Sequence, residues 1–158
     1  MKLLLRQRMF SWFDSYDIYD ESGKTVYQVK GELAWGHQFR VYDMTGREVA
    51  GLKQVIFTFL PRFEIYLNGN FEGYVSRRFT LFFPQYDIDY KGWTVEGSPM
   101  EWNYAVLGAD GGLVASIGKQ LFNWTDTYVM DIPKAENALS VLMFVLAIDA
   151  EKCSRSSD

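Results

Sequence analysis

The chain has 158 residues, of which 48% are hydrophobic and 17% aromatic, with 16 Lys and Arg against 20 Asp and Glu. That is ample apolar material for one packed domain and excludes a disordered chain. The formal charge of −4 and pI near 5.0 exclude the broad basic field that non-specific nucleic-acid binding needs.

The first segment, MKLLLRQRMF, alternates. Lys2, Arg6 and Arg8 share one strand face, and Leu3, Leu5 and Met9 the other. Arg6 and Arg8 also interrupt the run before a signal-peptide core of ~7–15 apolar residues can form. Beyond it a motif recurs, an aromatic, any residue, then an aliphatic. It reads Tyr16-x-Ile18, Phe39-x-Val41, Phe63-x-Ile65, Tyr86-x-Ile88, Tyr104-x-Val106 and Tyr128-x-Met130. Turn signals follow most copies: YDESGK, YDMTGR, YLNGNF and LGADGG. Asp or Asn with Gly supplies the positive φ that a tight hairpin requires. Corners bearing tryptophan (MFSWFDSYDI, ELAWGHQFRV, MEWNYAV, LFNWTDTYVM) or proline (FTFLPRFEI, FTLFFPQYDI) precede them. Each unit is then a corner, a short strand, a hairpin and a longer returning strand. The pattern predicts about twelve strands, near 2–9, 16–20, 25–34, 38–43, 47–59, 63–67, 71–83, 86–90, 93–97, 103–108, 113–121 and 126–131.

After Pro133 the pattern changes. Asn137 to Ile148 carries no charge, which predicts a helix over about 134–150, followed by a short polar tail, 151–158. Twelve helical residues reach only about 18 Å, against the roughly 30 Å of a bilayer core. This is no transmembrane segment. A helix apolar on all sides has to be enclosed on all sides. Twelve strands tilted by ~40° close into a barrel of roughly 24 Å backbone diameter, with room for one helix. The predicted fold is a mainly β, single domain over 1–150: an antiparallel closed barrel enclosing a central hydrophobic C-terminal helix.

These segments together resemble the LURP-one-related family of the tubby C-terminal-like superfamily, in its short bacterial single-domain form. The resemblance runs through KLLLRQRMFSWFDSYDIYDESG, GHQFRVYDMTGREVAGLKQVIFTFLPRFEIYLNG, YDIDYKGWTVEG, and LFNWTDTYVMDI followed by LSVLMFVLAIDA. It implies the same helix-filled twelve-stranded barrel. Its superfamily includes phosphoinositide-binding tubby domains and phospholipid scramblases, whereas the bacterial members have no established enzymatic function. Scramblases use additional segments, including cysteine clusters, so scrambling is not carried over.

The residues offer few chemical devices. SGKT at 22–25 lacks the first glycine of a phosphate-binding loop, since position 18 is Ile18, and it sits in a hairpin. Asp14, Asp17, Asp20 and Glu21 crowd one hairpin, and Asp87 and Asp89 another, but alternation places most on solvent faces and Asp14 and Asp126 at corners. His37, the only histidine, takes the place of those corner aspartates. One His and one Cys, Cys153, do not make up the about four ligands of a zinc site. The lone cysteine fits a reducing compartment. No cofactor is expected.

The remaining candidates are basic. Lys2, Arg6 and Arg8 on the first strand, and Arg77 and Arg78 in VSRRF, are the predicted anion- or lipid-binding residues, with Arg47, Lys53 and Arg62 on nearby strands. Outward arginines fork to phosphate oxygens at no cost to a core. The expectation is a non-enzymatic, cytoplasmic barrel, peripheral at a membrane, binding an anionic phospholipid headgroup or a protein partner and no nucleic acid. The alternative is an enzyme with a shallow surface site at the Asp/His corners.

Overall fold

The computed structural model describes residues 1–6, 15–34, 36–57, 59–60, 62–78, 80–82, 85–122 and 125–155. Twelve antiparallel strands form a single sheet: β1 (Lys2–Arg6), β2 (Ser15–Asp20), β3 (Thr25–Ala34), β4 (Gly36–Asp43), β5 (Glu48–Val55), β6 (Arg62–Leu67), β7 (Asn70–Arg78), β8 (Gln85–Tyr90), β9 (Thr94–Ser98), β10 (Asn103–Leu107), β11 (Leu113–Phe122) and β12 (Thr125–Asp131). A single α-helix follows, α1 (Ala138–Arg155).

The spatial order is β8-β7-β6-β5-β4-β3-β2-β1-β12-β11-β10-β9. Every sequence neighbour from β1 to β8 and from β9 to β12 pairs, and β1 joins β12 with Leu4 opposite Val129. Among the described residues no ladder joins β8 to β9, so the ring stops one ladder short of the closure expected. The two strands share a turn at Lys91–Gly92, with Trp93 N–H donating to Tyr90 O at 3.0 Å, and then part.

The aromatic–x–aliphatic motifs are the inward rows of the even-numbered strands. Ile18, Val41, Phe63, Ile65, Val106 and Met130 have no exposed surface. Only the β8 pair, Tyr86 and Ile88, stays half-buried, because it borders the gap. Four of the hairpin ladders shift register right after the aliphatic member, at Ile18/Tyr19, Val41/Tyr42, Ile65/Tyr66 and Val106/Leu107. A bulge there adds the twist that a tight turn needs to lead into the longer return strand.

The helix occupies the interior. Val141 to Ile148 are buried without interruption, and Phe144 and Val145, about 100° apart around the axis, are both 0% exposed. It runs closest to β5, β6 and β7. Rings pack around the rest of the interior. Tyr90 stacks on Phe144 at 6.1 Å, Trp93 meets Phe144 edge-on at 5.9 Å, and Trp102 stacks on Tyr128 at 3.6 Å. Tyr90 also donates to Ser140 O, one of the carbonyls of the first helical turn. The helix starts later and runs further than the expected 134–150. Pro133 and Lys134 lead into a 3₁₀ turn, Ala135–Asn137, and beyond residue 150 polar contacts replace apolar ones. There Glu151, almost wholly buried, pairs with Arg77 at 3.1 Å. Residues 151–155 are thus the helix's last turn.

Candidate functional site at the loop end of the barrel

Strand direction divides the barrel into two ends. Five tight connections, 21–24, 44–47, 68–69, 91–93 and 108–112, lie at one, the turn end, where the helix also enters. The connections after β1, β3, β5, β7, β9 and β11 lie at the other, the loop end, where the helix finishes. The predicted basic residues separate along these lines. Lys2 is at the turn end and Arg6 at the loop end, with its guanidinium 5.2 Å from the Tyr19 ring centroid. Arg8 lies outside the described residues. β1 and β7 stand on opposite walls, six strands apart, so Lys2 and Arg6 do not meet Arg77 and Arg78.

Arg77 and Arg78 do not form one outward pair either. Adjacent strand residues face opposite ways. Arg77 follows Gly73 and Val75 on the inner row, where its Nε donates to Glu151. Arg78 is outward and exposed. Its neighbour on that outer face is Arg62 of β6, which lies opposite Ser76, one step along from Arg78. Arg62 rests 4.8 Å over the Tyr74 ring and makes a loose 3.6 Å contact with Glu64, while its buried Nε donates to no acceptor among the described residues. Arg47 instead belongs to a hairpin at the turn end, 3.4 Å from Asn68 Oδ1.

Two clefts border this region. The gap between β8 and β9 opens into one of ≈ 440 Å³, lined among others by Arg78, Tyr86, Asp87, Trp93 and Pro99. Another, of ≈ 410 Å³, runs over the outer wall past Arg40, Gly51, Lys53 and Tyr66. Arg40 there is committed to Glu32 at 2.7 Å and Glu48 at 3.2 Å, which leaves Lys53 as its available cation.

Inside the loop end the helix terminus brings polar groups into an apolar setting. Burial pushes the Asp149 carboxyl up to about 6 despite the opposing Lys152 ammonium. It pushes the Cys153 thiol up to about 12, which makes that sulfur a poor nucleophile. The Tyr16 and Tyr104 hydroxyls are buried with no hydrogen-bond partner among the described residues, and are raised by burial first, then by the nearby Asp149 charge. Lys152 Nζ donates to the Pro99 and Met100 carbonyls and sits 4.5 Å above the Trp102 ring.

The carboxylates of the alternative reading are dispersed. Asp14 is outside the described residues, Asp17 lines an outer-wall groove, Asp87 the cleft at the gap, and Asp20 a hairpin. The His37 backbone N–H donates to Gln54 Oε1 at 3.1 Å, and burial lowers the His37 pKa. Among the described residues no group of three or more His, Cys, Asp or Glu is placed to hold a metal ion. None of the described helices is long and apolar enough to cross a membrane.

The feature that sequence reasoning missed is the chemistry of two loops. Strands expected at 47–59 and 71–83 end at Val55 and Arg78. The apolar residues assigned to their ends stand free instead: Phe57 is 85% exposed, Phe59 95%, and Leu81 and Phe82 84% each. The signal was the repeat of F-T-F-L-P and F-T-L-F-F-P, with each proline set against a strand continuing.

With this geometry in place, the comparisons agree. A family model described as LURP-one-related matches residues 1–149. The chain belongs to the LURP-one-related family. It is 26% identical over 151 residues to the uncharacterized protein YxjI of Bacillus subtilis (strain 168), covering 94% of this chain and 92% of that one. An Arabidopsis thaliana protein solved by X-ray crystallography shares the fold, with a TM-score of 0.60 at 16% identity over 94% of this chain and 91% of that one. The LURP-one-related match covers both ends of the barrel and the helix as far as Asp149.

Proposed function

We propose that this LURP-one-related barrel is a non-enzymatic binding protein that recognises anionic phospholipid headgroups on its outer surface at the loop end. The observation that carries the reading is the placement of Arg62 and Arg78 on one outer face of β6 and β7, Arg62 opposite Ser76 and so diagonal to Arg78. Arg78 is exposed and pairs with no carboxylate among the described residues. Each guanidinium carries a planar fork of donors that suits phosphate oxygens. The overall charge of −4 keeps such binding local and makes it fall with salt. Sedimentation with phosphatidylcholine vesicles, with and without phosphatidylserine, tests it. Binding is expected to need the acidic lipid, to weaken with salt, and to drop in Arg62→Ala/Arg78→Ala but not in Lys2→Ala, at the opposite end. Inorganic phosphate as competitor separates a site for any phosphate from one for a membrane-bound headgroup. Equal binding by the double variant would overturn the reading and leave a protein-partner role.

A further inference from the structure

We infer that four apolar side chains at the loop end, Phe57 and Phe59 between β5 and β6 and Leu81 and Phe82 between β7 and β8, insert into the bilayer. They dock the barrel with the helix terminus toward the membrane and the turn end toward water. The inference takes its partner class from the headgroup reading but rests on different residues.

The loops connect β5 to β6 and β7 to β8, four consecutive strands of the sheet, so they stand side by side. Single exposed apolar residues are ordinary on a protein surface, but Phe57, Phe59, Leu81 and Phe82 on two adjoining tips are not. Nothing in the fold requires them. At 84–95% exposure each touches almost none of the chain, so together they build no shared apolar face. A rigid protein partner would need a preset complementary surface for such separate projections. A fluid acyl phase receives each one independently, and aromatic rings favour the interfacial depth that a short loop reaches.

Charge selects the same orientation. Arg62 directly follows the first loop and Arg78 directly precedes the second. Both stand at the loops' feet, where headgroups would lie around inserted tips, and Arg6 ends its strand at the same end of the barrel. Exposed carboxylates such as Glu72, Asp89, Asp110 and Glu136 gather at the turn end and would be held away from an anionic surface. Glu101, across the gap, stands at the loop end, and exposed Asp87, opposite Ser76, lies diagonal to Arg78.

The test uses the full chain and the same vesicles. Phe57→Ser/Phe59→Ser is expected to bind at least about tenfold more weakly while keeping the parent's cooperative thermal transition, since it removes transferable apolar area and no packing. Phe59→Trp is expected to shift its emission to the blue on vesicles and to be quenched by lipids brominated in their acyl chains, beyond the parent's response. Unchanged binding in the tip variant, with loss in Arg62→Ala/Arg78→Ala, would overturn insertion and keep the headgroup reading. Loss in the tip variant alone would keep insertion and overturn the headgroup reading. A parent that binds no vesicle would overturn both. So would a parent that forms a dimer dissolved by the tip substitutions, since the loops would then cover a second copy.

Discussion

At the turn end of this barrel each hairpin closes on its own hydrogen bonds, whereas at the loop end the chain leaves apolar side chains in the open and polar ones enclosed. The hairpins after β2 and β4 are the same device built twice. Asp20 Oδ1 accepts from Ser22 N at 2.9 Å, Ser22 Oγ at 2.6 Å and Lys24 N at 3.0 Å. Asp43 Oδ1 accepts from Thr45 N at 2.9 Å, Thr45 Oγ1 at 2.6 Å and Arg47 N at 3.1 Å. Gly23 and Gly46, at φ 82 and 83, complete the two turns. The loop end has the contrary arrangement: Phe59 in solvent, and Tyr16 and Tyr104 hydroxyls buried with no partner among the described residues. Local rules are satisfied at one end and broken at the other. Broken local rules concentrate where a structure serves something other than its own stability.

The largest expected effect sets a phenylalanine of the core against one of the tips. Phe144 is wholly buried between Tyr90 and Trp93, so Phe144→Ala is expected to cost about 3–5 kcal/mol in urea denaturation. Phe59→Ala, the same chemical deletion at 95% exposure, is expected to stay within about 0.5 kcal/mol of the parent. A comparable loss at both positions would mean that the tip is packed, and the contrast between the ends would fail.

Next in size is the carboxyl enclosed at the loop end. Asp149 titrates near 6 in the fold, against an ordinary value of 3.8, because burial disfavours its charge. The folded state therefore holds that proton more tightly than the unfolded chain does. Stability from this group is highest below about pH 4, falls as pH rises toward 6, and is flat above. Asp149→Asn is expected to be more stable than the parent above pH 6, on the order of 2–3 kcal/mol, with the difference vanishing near pH 4. Urea melts of both proteins across that range measure it. A pH-independent difference would point to packing and not to charge.

The strands were legible because alternation and turn chemistry agree along most of the chain. The predicted 25–34 is β3, and 63–67, 86–90 and 126–131 each miss a strand by one residue at one end. The helix was legible because no other element makes a run apolar on every side, though its last turn was not. Glu151 and Lys152 read as tail until Arg77 and the Pro99 and Met100 carbonyls come within reach, and those contacts span more than fifty residues. The gap between β8 and β9 has no local signal, since both strands and their turn read like the others. At the site, alternation alone separates Arg77 from Arg78, whereas the nearness of Arg62 needs the register of β6 on β7. The loop tips were misread because hydrophobic residues beside a strand look like more strand. Only the fold decides whether there is anything for them to bury against.

The smallest expected effect tests the turn end, and it depends on the two hairpins being equivalent. Asp20 and Asp43 are partly exposed, and each carboxyl is held below its ordinary value, chiefly by the hydroxyl of Ser22 or Thr45 and by the backbone N–H groups it accepts from. A depressed folded value gives stability that is present above about pH 4 and lost as pH falls through the folded value. Asp20→Ala and Asp43→Ala should therefore each lower the thermal midpoint slightly at neutral pH, by similar amounts, and should converge with the parent in acid. Their losses should add in the double variant, because the hairpins share no partner. Thermal melts at neutral pH and below pH 4 measure all of this. Unequal single losses would show that matching hydrogen bonds do not make matching turns. Equal, additive losses that disappear in acid would place the stability of this end in its local turn chemistry, separable from whatever the loop end binds.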